Sequence, residues 1–169
     1  MNDALLIRAE HPADCAAIRF IHEQAFGRRD EADLVDRLRD EQVTVASLVA
    51  EMDGNVVGHL LFTRMWIDTA NRSIPAVALA PLAVLPRFQR QRIGGWLIEH
   101  GLDELRAGSE EIVIVLGSAG YYSRFGFSCE NARLLECPFR RESFLALELK
   151  PHALENLRAK VRYAKAFGL

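Results

Sequence analysis

Three arginines and two adjacent glycines lie close together near the middle of the chain, in a pattern that could bind a phosphate group. Arg87, Arg90 and Arg92 follow a buried-looking apolar run, and Gly94-Gly95 then begin an amphipathic segment with helical spacing. The start of a helix presents unpaired backbone N–H groups and the positive end of the helix dipole. Glycine lets the backbone approach a phosphate closely, and arginine adds charge-assisted hydrogen bonds. The pattern therefore favours an anion site that a pyrophosphate would fit.

A structural explanation of the same residues stays open. Two glycines at a helix start also occur for packing reasons, and surface arginines are usually solvated. The turn is not a Walker A loop, because no Gly-Lys-Ser/Thr closes it, and its glycines lack the Gly-x-Gly-x-x-Gly spacing of dinucleotide-binding proteins. Taken alone, the residues leave both an anion site and ordinary helix packing possible.

The segments on either side of this turn predict one mixed α/β domain over residues 1–169. A first strand at residues 5–7 is followed by a helix that opens at Pro12 and by a second helix that Asp30 could cap. The alternating and apolar runs then predict antiparallel strands at residues 48–52, 56–67 and 75–85, with a hairpin turn at Asp53-Gly54. A helix at 94–107, a buried strand at 112–116, a short helix at 121–125 and a strand near 144–149 complete the pattern.

Composition and charge exclude several classes of protein. The chain has 169 residues, 50% hydrophobic and 26% charged, as in a folded domain rather than a disordered chain. Lys and Arg number 21 against 23 Asp and Glu, so the basic excess of a duplex nucleic-acid-binding protein is missing. Neither a membrane-spanning run nor a secretory signal is evident, and the three cysteines show no metal-ligand spacing. We therefore expect a cytoplasmic protein with no metal, nucleic-acid or membrane partner.

Two ordered motifs resemble those of the GNAT superfamily of N-acetyltransferases, in detail a bacterial branch of predicted N-acetyltransferases. The run Gln89–Gly94 is similar to the Gln/Arg-x-x-Gly-x-Gly/Ala turn of the family's motif A, and Leu82-Ala83-Val84 resembles the fourth strand that precedes it. Further on, Val115-Leu116-Gly117 followed by Tyr121–Phe127 resembles motif B, with its Tyr-x-x-x-Gly-Phe ending. The resemblance covers nearly the whole chain.

This resemblance implies a fold, a reaction and a set of cofactor-binding residues. The expected fold is a mixed α/β, GNAT-like one, with a central, mostly antiparallel twisted sheet that is splayed between strands 4 and 5 and flanked by helices. The expected activity is transfer of an acetyl group from acetyl-CoA to an amine of a small molecule or a protein. The residues implied to bind coenzyme A are Leu82, Ala83, Val84, Gln89, Arg90, Gln91, Arg92, Ile93, Gly94 and Gly95.

Tyr122 is the catalytic residue that the resemblance implies. It lies four residues before Gly126 and would donate a proton to the sulfur of coenzyme A. A tyrosine is protonated at neutral pH, which suits this role, and the alternative is a core aromatic with a satisfied hydroxyl.

The chain departs from the family motifs in two places. Arg92 stands where the turn has its first glycine, and a residue with a β-carbon does not easily take a positive φ. We therefore expect the pyrophosphate to bind through Gly94, Gly95 and neighbouring amides, with the Arg92 guanidinium contributing. Ser118-Ala119-Gly120 also replaces the Asp-Pro-containing turn of this branch.

The base, the acceptor and the oligomeric state stay open at this point. Candidate bases are Glu51 and His59 on predicted strands, Glu23 and Glu31 on predicted helices, or water; a lone histidine among apolar residues, such as His59, is more typical of a hydrogen-bonded core. The acceptor pocket is expected from the first two helices and the last strands, and the protein could be a monomer or a homodimer. A non-catalytic acyl-CoA-binding or regulatory module with the same fold is the alternative function.

Overall fold

The computed structural model describes residues 4–169 and arranges them in eight β-strands and four α-helices. The strands are β1 Leu5–Ala9, β2 Thr44–Met52, β3 Asn55–Asp68, β4 Ser73–Val84, β5 Ile112–Leu116, β6 Leu135–Glu136, β7 Phe144–Glu148 and β8 Ala159–Arg162. The helices are α1 Cys15–Phe26, α2 Asp30–Asp40, α3 Ile93–Ala107 and α4 Ala119–Tyr122. Short 3-10 helices at Pro12–Asp14, Pro86–Phe88 and Ser123–Phe125 join some of these elements.

The strands form a mostly antiparallel sheet with the order β1-β2-β3-β4-β5-β7, and β8 pairs with both β3 and β6. Antiparallel ladders join β1 to β2, β5 to β7 and β3 to β8. The ladder between β4 and β5 is parallel and joins Val77 to Val113 and Ala78 to Ile114, at the pair of strands where a splay is expected. The predicted fold class, a mixed α/β fold of the GNAT type, is confirmed.

The chain forms two compact units, each made of two segments. The first contains residues 4–62 and Ala80–Gly101, and the second contains Thr63–Leu79 and Leu102–Leu169. The two long strands β3 and β4 each contribute one part to each unit. The prediction of one domain over residues 1–169 stays a prediction.

In the first unit, α3 packs closely against β3 because two glycines keep side chains out of the contact. A β-carbon at Gly58 would lie 3.2 Å from Leu97, and one at Gly101 would overlap the ring of Phe62. Successive residues of a strand point to opposite faces of the sheet. His59 therefore points away from α3, and its ring meets His22 of α1.

The second unit has an apolar core built on both sides of β5. Residues Ile112 to Val115 are all at most 2% exposed, as expected for a strand that is covered on both faces. One core cluster joins Ile112 and Ile114 to residues of β3, β4, β7 and β8: Met65, Ile67, Ala76, Ala78, Phe144, Ala146 and Val161.

One detail differs from the sequence-based expectations, and one strand of the C-terminal segment was not predicted. Asp30 does not cap α2: the N-cap residue is Arg29, and Asp30 is the first residue of the helix, where its charge favours the positive end of the dipole. The C-terminal segment contains the strand β8, which pairs with Trp66–Asp68 of its own chain. In β8 only Val161 is buried and Lys160 and Arg162 flank it, so the apolar pattern of a strand is too short to recognise.

Candidate active site

The strand, basic turn and helix that the sequence singled out lie together in the first unit. β4 ends at Val84, and α3 begins at Ile93. The Gln89 side-chain amide donates a hydrogen bond to the Val84 carbonyl at 3.0 Å, and the Gln91 amide donates to the Arg87 carbonyl at 3.2 Å. These bonds tie the turn to the end of the strand, so that the chain leaves β4 and enters α3 in one defined conformation.

The backbone of this turn is left-handed at two residues. Arg90 has a φ of 61° and Arg92 a φ of 68°. The expectation that Arg92 avoids a positive φ is therefore wrong, because the turn holds this residue in the left-handed region. A left-handed residue with a side chain costs about 1–2 kcal/mol, and alternating left- and right-handed residues aim backbone N–H groups into a concavity that binds anions.

The arginines of the turn carry positive charge that no nearby carboxylate neutralises. Arg87, Arg90 and Arg92 form no ion pair with any of residues 4–169, whereas Arg8, Arg19 and several other arginines of the chain do. The Arg87 guanidinium lies over the ring of Phe88 at 4.8 Å, and that of Arg92 lies 5.9 Å from the ring of Trp96. Together with the N-terminus of α3, these groups make a local positive potential that suits a polyanion.

Tyr122 is the last residue of α4, in the second unit. Its ring lies on Gly117, where any β-carbon would overlap it, and it makes edge contacts with Tyr121 and Phe127 at centroid distances of 5.0 and 5.9 Å. Burial, together with Tyr121, raises the pKa of Tyr122 to about 12. Its hydroxyl has no hydrogen-bond partner among residues 4–169, so this phenol is protonated at neutral pH and has its proton available for a ligand.

Each carboxylate that was a candidate base is held by an arginine. Glu51 pairs with Arg8 at 2.8 Å, and Glu23 pairs with Arg19 at 3.1 Å. Glu31 pairs with Arg28 at 2.5 Å, and the hydrogen bond from that guanidinium lowers the pKa of Glu31. The lowered pKa makes Glu31 a weaker proton acceptor.

His59 is buried and is part of a hydrogen-bonded chain of four side chains. Its Nδ1 lies 2.8 Å from Nε2 of His22, and its Nε2 lies 2.9 Å from Oγ of Ser47. The Ser47 hydroxyl donates to Glu10, whose other carboxylate oxygen accepts a 2.6 Å hydrogen bond from Arg39. We call Glu10, Ser47, His59 and His22 the buried chain.

The titratable groups of the buried chain differ in charge state. Burial opposes ionisation of Glu10, but the donors of His59 and Ser47 and the charge of Arg39 outweigh it and lower the pKa of Glu10 to about 2. Burial lowers the pKa of His22 to about 3, and the neighbouring His59 ring and the charge of Arg39 act in the same direction. Burial likewise lowers the pKa of His59, against the opposing influence of Glu10. At neutral pH the carboxylate is therefore ionised and both imidazoles are neutral.

Sequence reasoning named His59 but missed the other three members of the buried chain. They come from the β1–α1 connection, β2 and α1, and no fixed spacing in the sequence links them. The structure also brings the implied cofactor residues from Leu82 to Gly95 together in the first unit, whereas Tyr122 belongs to the second. Among residues 4–169, no group of three or more His, Cys, Asp or Glu side chains is placed to hold a metal ion. No helix within the same range is long and apolar enough to cross a membrane.

The mostly antiparallel α/β sheet and its basic strand–turn–helix segment are the features expected from the resemblance to N-acetyltransferases. The chain belongs to the GNAT acetyltransferase family, since the model of the acetyltransferase (GNAT) domain matches residues 7–129. The predicted family and the predicted enzyme class, an N-acetyltransferase, are thereby confirmed.

Individual relatives agree with this assignment over most of the chain. The chain is similar to the uncharacterized N-acetyltransferase YhbS of Escherichia coli K12, with 32% identity over 167 residues that cover 97% of this chain and 99% of the relative. It is also similar to the uncharacterized N-acetyltransferase YjhQ of the same organism, with 44% identity over 130 residues, covering 75% of this chain and 72% of that protein.

Two solved structures have the same fold with a coenzyme bound. The crystal structure of YhbS from Escherichia coli in complex with CoA has a TM-score of 0.91 and 31% identity, covering 100% of this chain and 94% of the other. The crystal structure of a GNAT family acetyltransferase from Brucella melitensis in complex with acetyl-CoA has a TM-score of 0.82 and 34% identity, covering 98% and 99%.

Proposed function

We propose that this protein transfers the acetyl group of acetyl-CoA to the amine of a small molecule or a protein by direct attack in a ternary complex. The observation that carries the proposal is the turn before α3, where Arg90 and Arg92 are left-handed and the arginines pair with no carboxylate of residues 4–169. Such a turn fits a pyrophosphate, and the similar solved structures that hold CoA or acetyl-CoA support this choice of anion.

The cofactor role is assigned to one continuous segment. Backbone N–H groups and guanidinium groups of Gln89, Arg90, Gln91, Arg92, Ile93, Gly94 and Gly95 bind the pyrophosphate. Backbone groups of Leu82, Ala83 and Val84 pair with the pantetheine arm, and an N–H of this strand polarises the thioester oxygen. Holding the amine and the thioester together supplies much of the acceleration.

Tyr122 is proposed as the proton donor to the leaving group. The amine nitrogen attacks the thioester carbon, the C–S bond breaks with its electron pair on sulfur, and the phenol gives its proton to the thiolate. The second proton, released from the attacking nitrogen, goes to a base. The proposal also includes a single domain over residues 1–169, a cytoplasmic location, no metal, and a monomer or homodimer.

Release of free thiol tests the activity directly. Incubation of the protein with acetyl-CoA and a panel of primary amines, including polyamines, amino acid amides and short peptides, is expected to release CoA thiol only when a suitable amine is present. A thiol reagent with a chromophore measures the rate. Binding of CoA in calorimetry without turnover on any amine would favour a non-catalytic acyl-CoA-binding module, and absence of binding would overturn the cofactor assignment.

The substitution Arg92→Gly removes the guanidinium charge but allows the left-handed backbone of the turn to be kept. Glycine takes a φ of 68° without strain, so the melting temperature is expected to stay the same or rise. The lost guanidinium is expected to raise the Kd for CoA about tenfold or more, because a hydrogen bond to a charged group contributes about 1.5–3 kcal/mol. Titration calorimetry measures the Kd, with Arg72→Ala on the exposed β3–β4 turn as the control. An unchanged Kd would mean that amides alone bind the pyrophosphate.

A further inference from the structure

A cavity of about 340 Å³ lies between α1 and the segment that follows β4, and all of its lining residues belong to the first unit. Phe20 and Gln24 contribute to it from α1, and Leu85, Pro86 and Arg87 contribute from the connection to α3. The two α1 residues are four positions apart and therefore share one face of the helix. None of the five residues is among those already assigned to the cofactor.

The part of the lining that follows β4 is held in place by backbone hydrogen bonds. The Leu85 N–H donates to the Val57 carbonyl of β3 at 2.9 Å, and the Phe88 N–H donates to the Leu85 carbonyl at 2.8 Å. Leu85 is only 8% exposed, so its side chain is packed as well. Pro86 has no N–H that would need a partner. A ligand in the cavity would therefore meet a preformed surface on this side.

The part of the lining that comes from α1 consists of one large apolar ring and one unpaired amide. Phe20 is 54% exposed, and covering its ring with a ligand would remove apolar surface from water. The side-chain amide of Gln24 has no hydrogen-bond partner among residues 4–169, and it has both donor and acceptor groups. This side of the cavity suits a ligand that carries apolar groups next to a hydroxyl or an amide.

The position of the cavity along the chain matches one part of coenzyme A. Starting from its sulfur, the cofactor consists of a cysteamine, a β-alanine and a pantoyl unit, followed by the diphosphate. The segments proposed to bind it have the same order, with Leu82–Val84 for the pantetheine arm and Gln89–Gly95 for the diphosphate. A strand advances about 3.3 Å per residue, so Leu82–Val84 spans about 10 Å, which covers the cysteamine and β-alanine units but not the pantoyl unit. The cavity begins at the next residue, Leu85.

We propose that this cavity binds the pantoyl unit of acetyl-CoA and that Phe20 and Gln24 are binding residues for the cofactor. The two methyl groups of the pantoyl unit pack against Phe20, Leu85 and Pro86, and its hydroxyl or its amide forms a hydrogen bond with the Gln24 side chain. The inference rests on the proposed acetyl transfer. It assigns to the cofactor a part of α1, a helix that was expected to help form the acceptor pocket.

The charge of the lining favours the cofactor over the amine acceptor as the occupant. Arg87 forms no ion pair with any of residues 4–169, and no carboxylate in this range lines the cavity. An amine that is protonated in solution would be repelled by this cation, whereas a diphosphate close by would be attracted. The guanidinium lies over the Phe88 ring at 4.8 Å, and the Arg87 carbonyl accepts a hydrogen bond from the Gln91 amide, so the residue is well fixed.

The substitution Phe20→Ala tests the proposal with two ligands. The first ligand is CoA, and the second is adenosine 3′-phosphate 5′-diphosphate, the nucleotide half of CoA, which lacks the pantoyl unit. The Kd for CoA, measured by titration calorimetry, is expected to rise about tenfold, because apolar contact with the ring is lost. The Kd for the nucleotide half is expected to stay the same.

Two further measurements accompany this variant. Leu6→Ala is the matched control, because Leu6 is also apolar and 52% exposed but lies on β1, three strands away from β4, and both Kd values should stay unchanged. Gln24→Ala is expected to raise the Kd for CoA about fivefold, as for the loss of one neutral hydrogen bond. In the wild-type protein with CoA bound, nuclear Overhauser contacts should join the pantoyl methyl protons to the Phe20 ring, a measurement that needs no variant.

Several outcomes would overturn the inference. An unchanged Kd for CoA in Phe20→Ala and Gln24→Ala, or the absence of contacts between the pantoyl methyl groups and Phe20, would exclude the cavity as the pantoyl site. An equal loss of affinity for the nucleotide half would assign the cavity to another part of the cofactor. A raised KM for the amine with an unchanged Kd for CoA would assign it to the acceptor. If the wild-type protein bound no CoA at all, the proposed function itself would be overturned.

Discussion

Replacing Tyr122 by phenylalanine is expected to lower kcat for acetyl transfer about a hundredfold while leaving the Kd for CoA nearly unchanged. The variant keeps the ring that packs on Gly117 and Phe127 and removes only the hydroxyl, which has no partner among residues 4–169. Stability should therefore be close to that of the wild type. Thiol release under saturating acetyl-CoA measures kcat, and calorimetry measures the Kd.

The dependence of this deficit on pH distinguishes a proton donor from a packing residue. Burial raises the pKa of Tyr122 to about 12, so the phenol stays protonated between pH 6 and pH 9 and the deficit should be constant over that range. Tyr121→Phe is the matched control, since it removes a hydroxyl from the neighbouring ring, and it is expected to retain most of the activity. Equal rates for Tyr122→Phe and wild type would refute the assigned role and leave acetyl transfer itself intact.

Mild acid is expected to destabilise the protein, because burial opposes protonation of His22 and His59 in the folded state. In an unfolded chain a histidine has a pKa of about 6.5, whereas burial lowers the pKa of His22 to about 3 and also lowers that of His59. Above pH 6.5 both states are neutral, so these groups do not affect stability. As the pH falls below 6.5, the unfolded chain binds protons that the folded protein does not, and the free energy of unfolding falls.

The expected loss between pH 7.5 and pH 5.5 is about 1.4 kcal/mol from His22, and His59 adds a further loss of the same sign. Glu10 acts in the same direction at lower pH: its carboxylate, with a pKa of about 2, stabilises the folded state above its unfolded pKa, and that contribution is lost as the pH falls toward 2. Urea denaturation at several pH values measures the free energy of unfolding.

A variant with one buried histidine fewer provides the control. His22→Gln should lose less stability than the wild type between pH 7.5 and pH 5.5, because only the His59 imidazole remains buried. Replacing the exposed His100 by glutamine should leave the loss unchanged. A wild-type protein that is equally stable at pH 7.5 and pH 5.5 would show that the two imidazoles do bind protons inside the folded protein.

The elements with a strong local pattern could be predicted from the sequence. The apolar run of β5, the helical spacing of α3 and the Asp53-Gly54 turn, with both residues at positive φ, all occur where expected. Both motifs could also be located in the sequence, because a glycine-containing turn and a Tyr-x-x-x-Gly-Phe ending are short runs of neighbouring residues. Where a strand is short and mostly polar, as in β6 and β8, the pattern was too weak to detect.

The conformation of Arg92 depended on more than local preference. A β-carbon disfavours a φ of 68°, yet the surrounding turn imposes it, because the Gln89 and Gln91 side chains tie the loop and the Arg92 carbonyl begins the hydrogen bonding of α3. The capping of α2 is a smaller example, since Arg29 takes the position before the helix although aspartate is the better capping residue.

The sequence by itself determined the family and indicated both the segment proposed for the cofactor and the proposed proton donor Tyr122, because each depends on residues that are adjacent in the chain. Only the tertiary structure decided which side chains His59 meets. Glu10, His22 and Ser47 come from three other segments, and the packing of α1 on the sheet, with the register of β2 and β3, brings them within hydrogen-bonding distance. Burial then sets their charges, which no spacing in the sequence can specify.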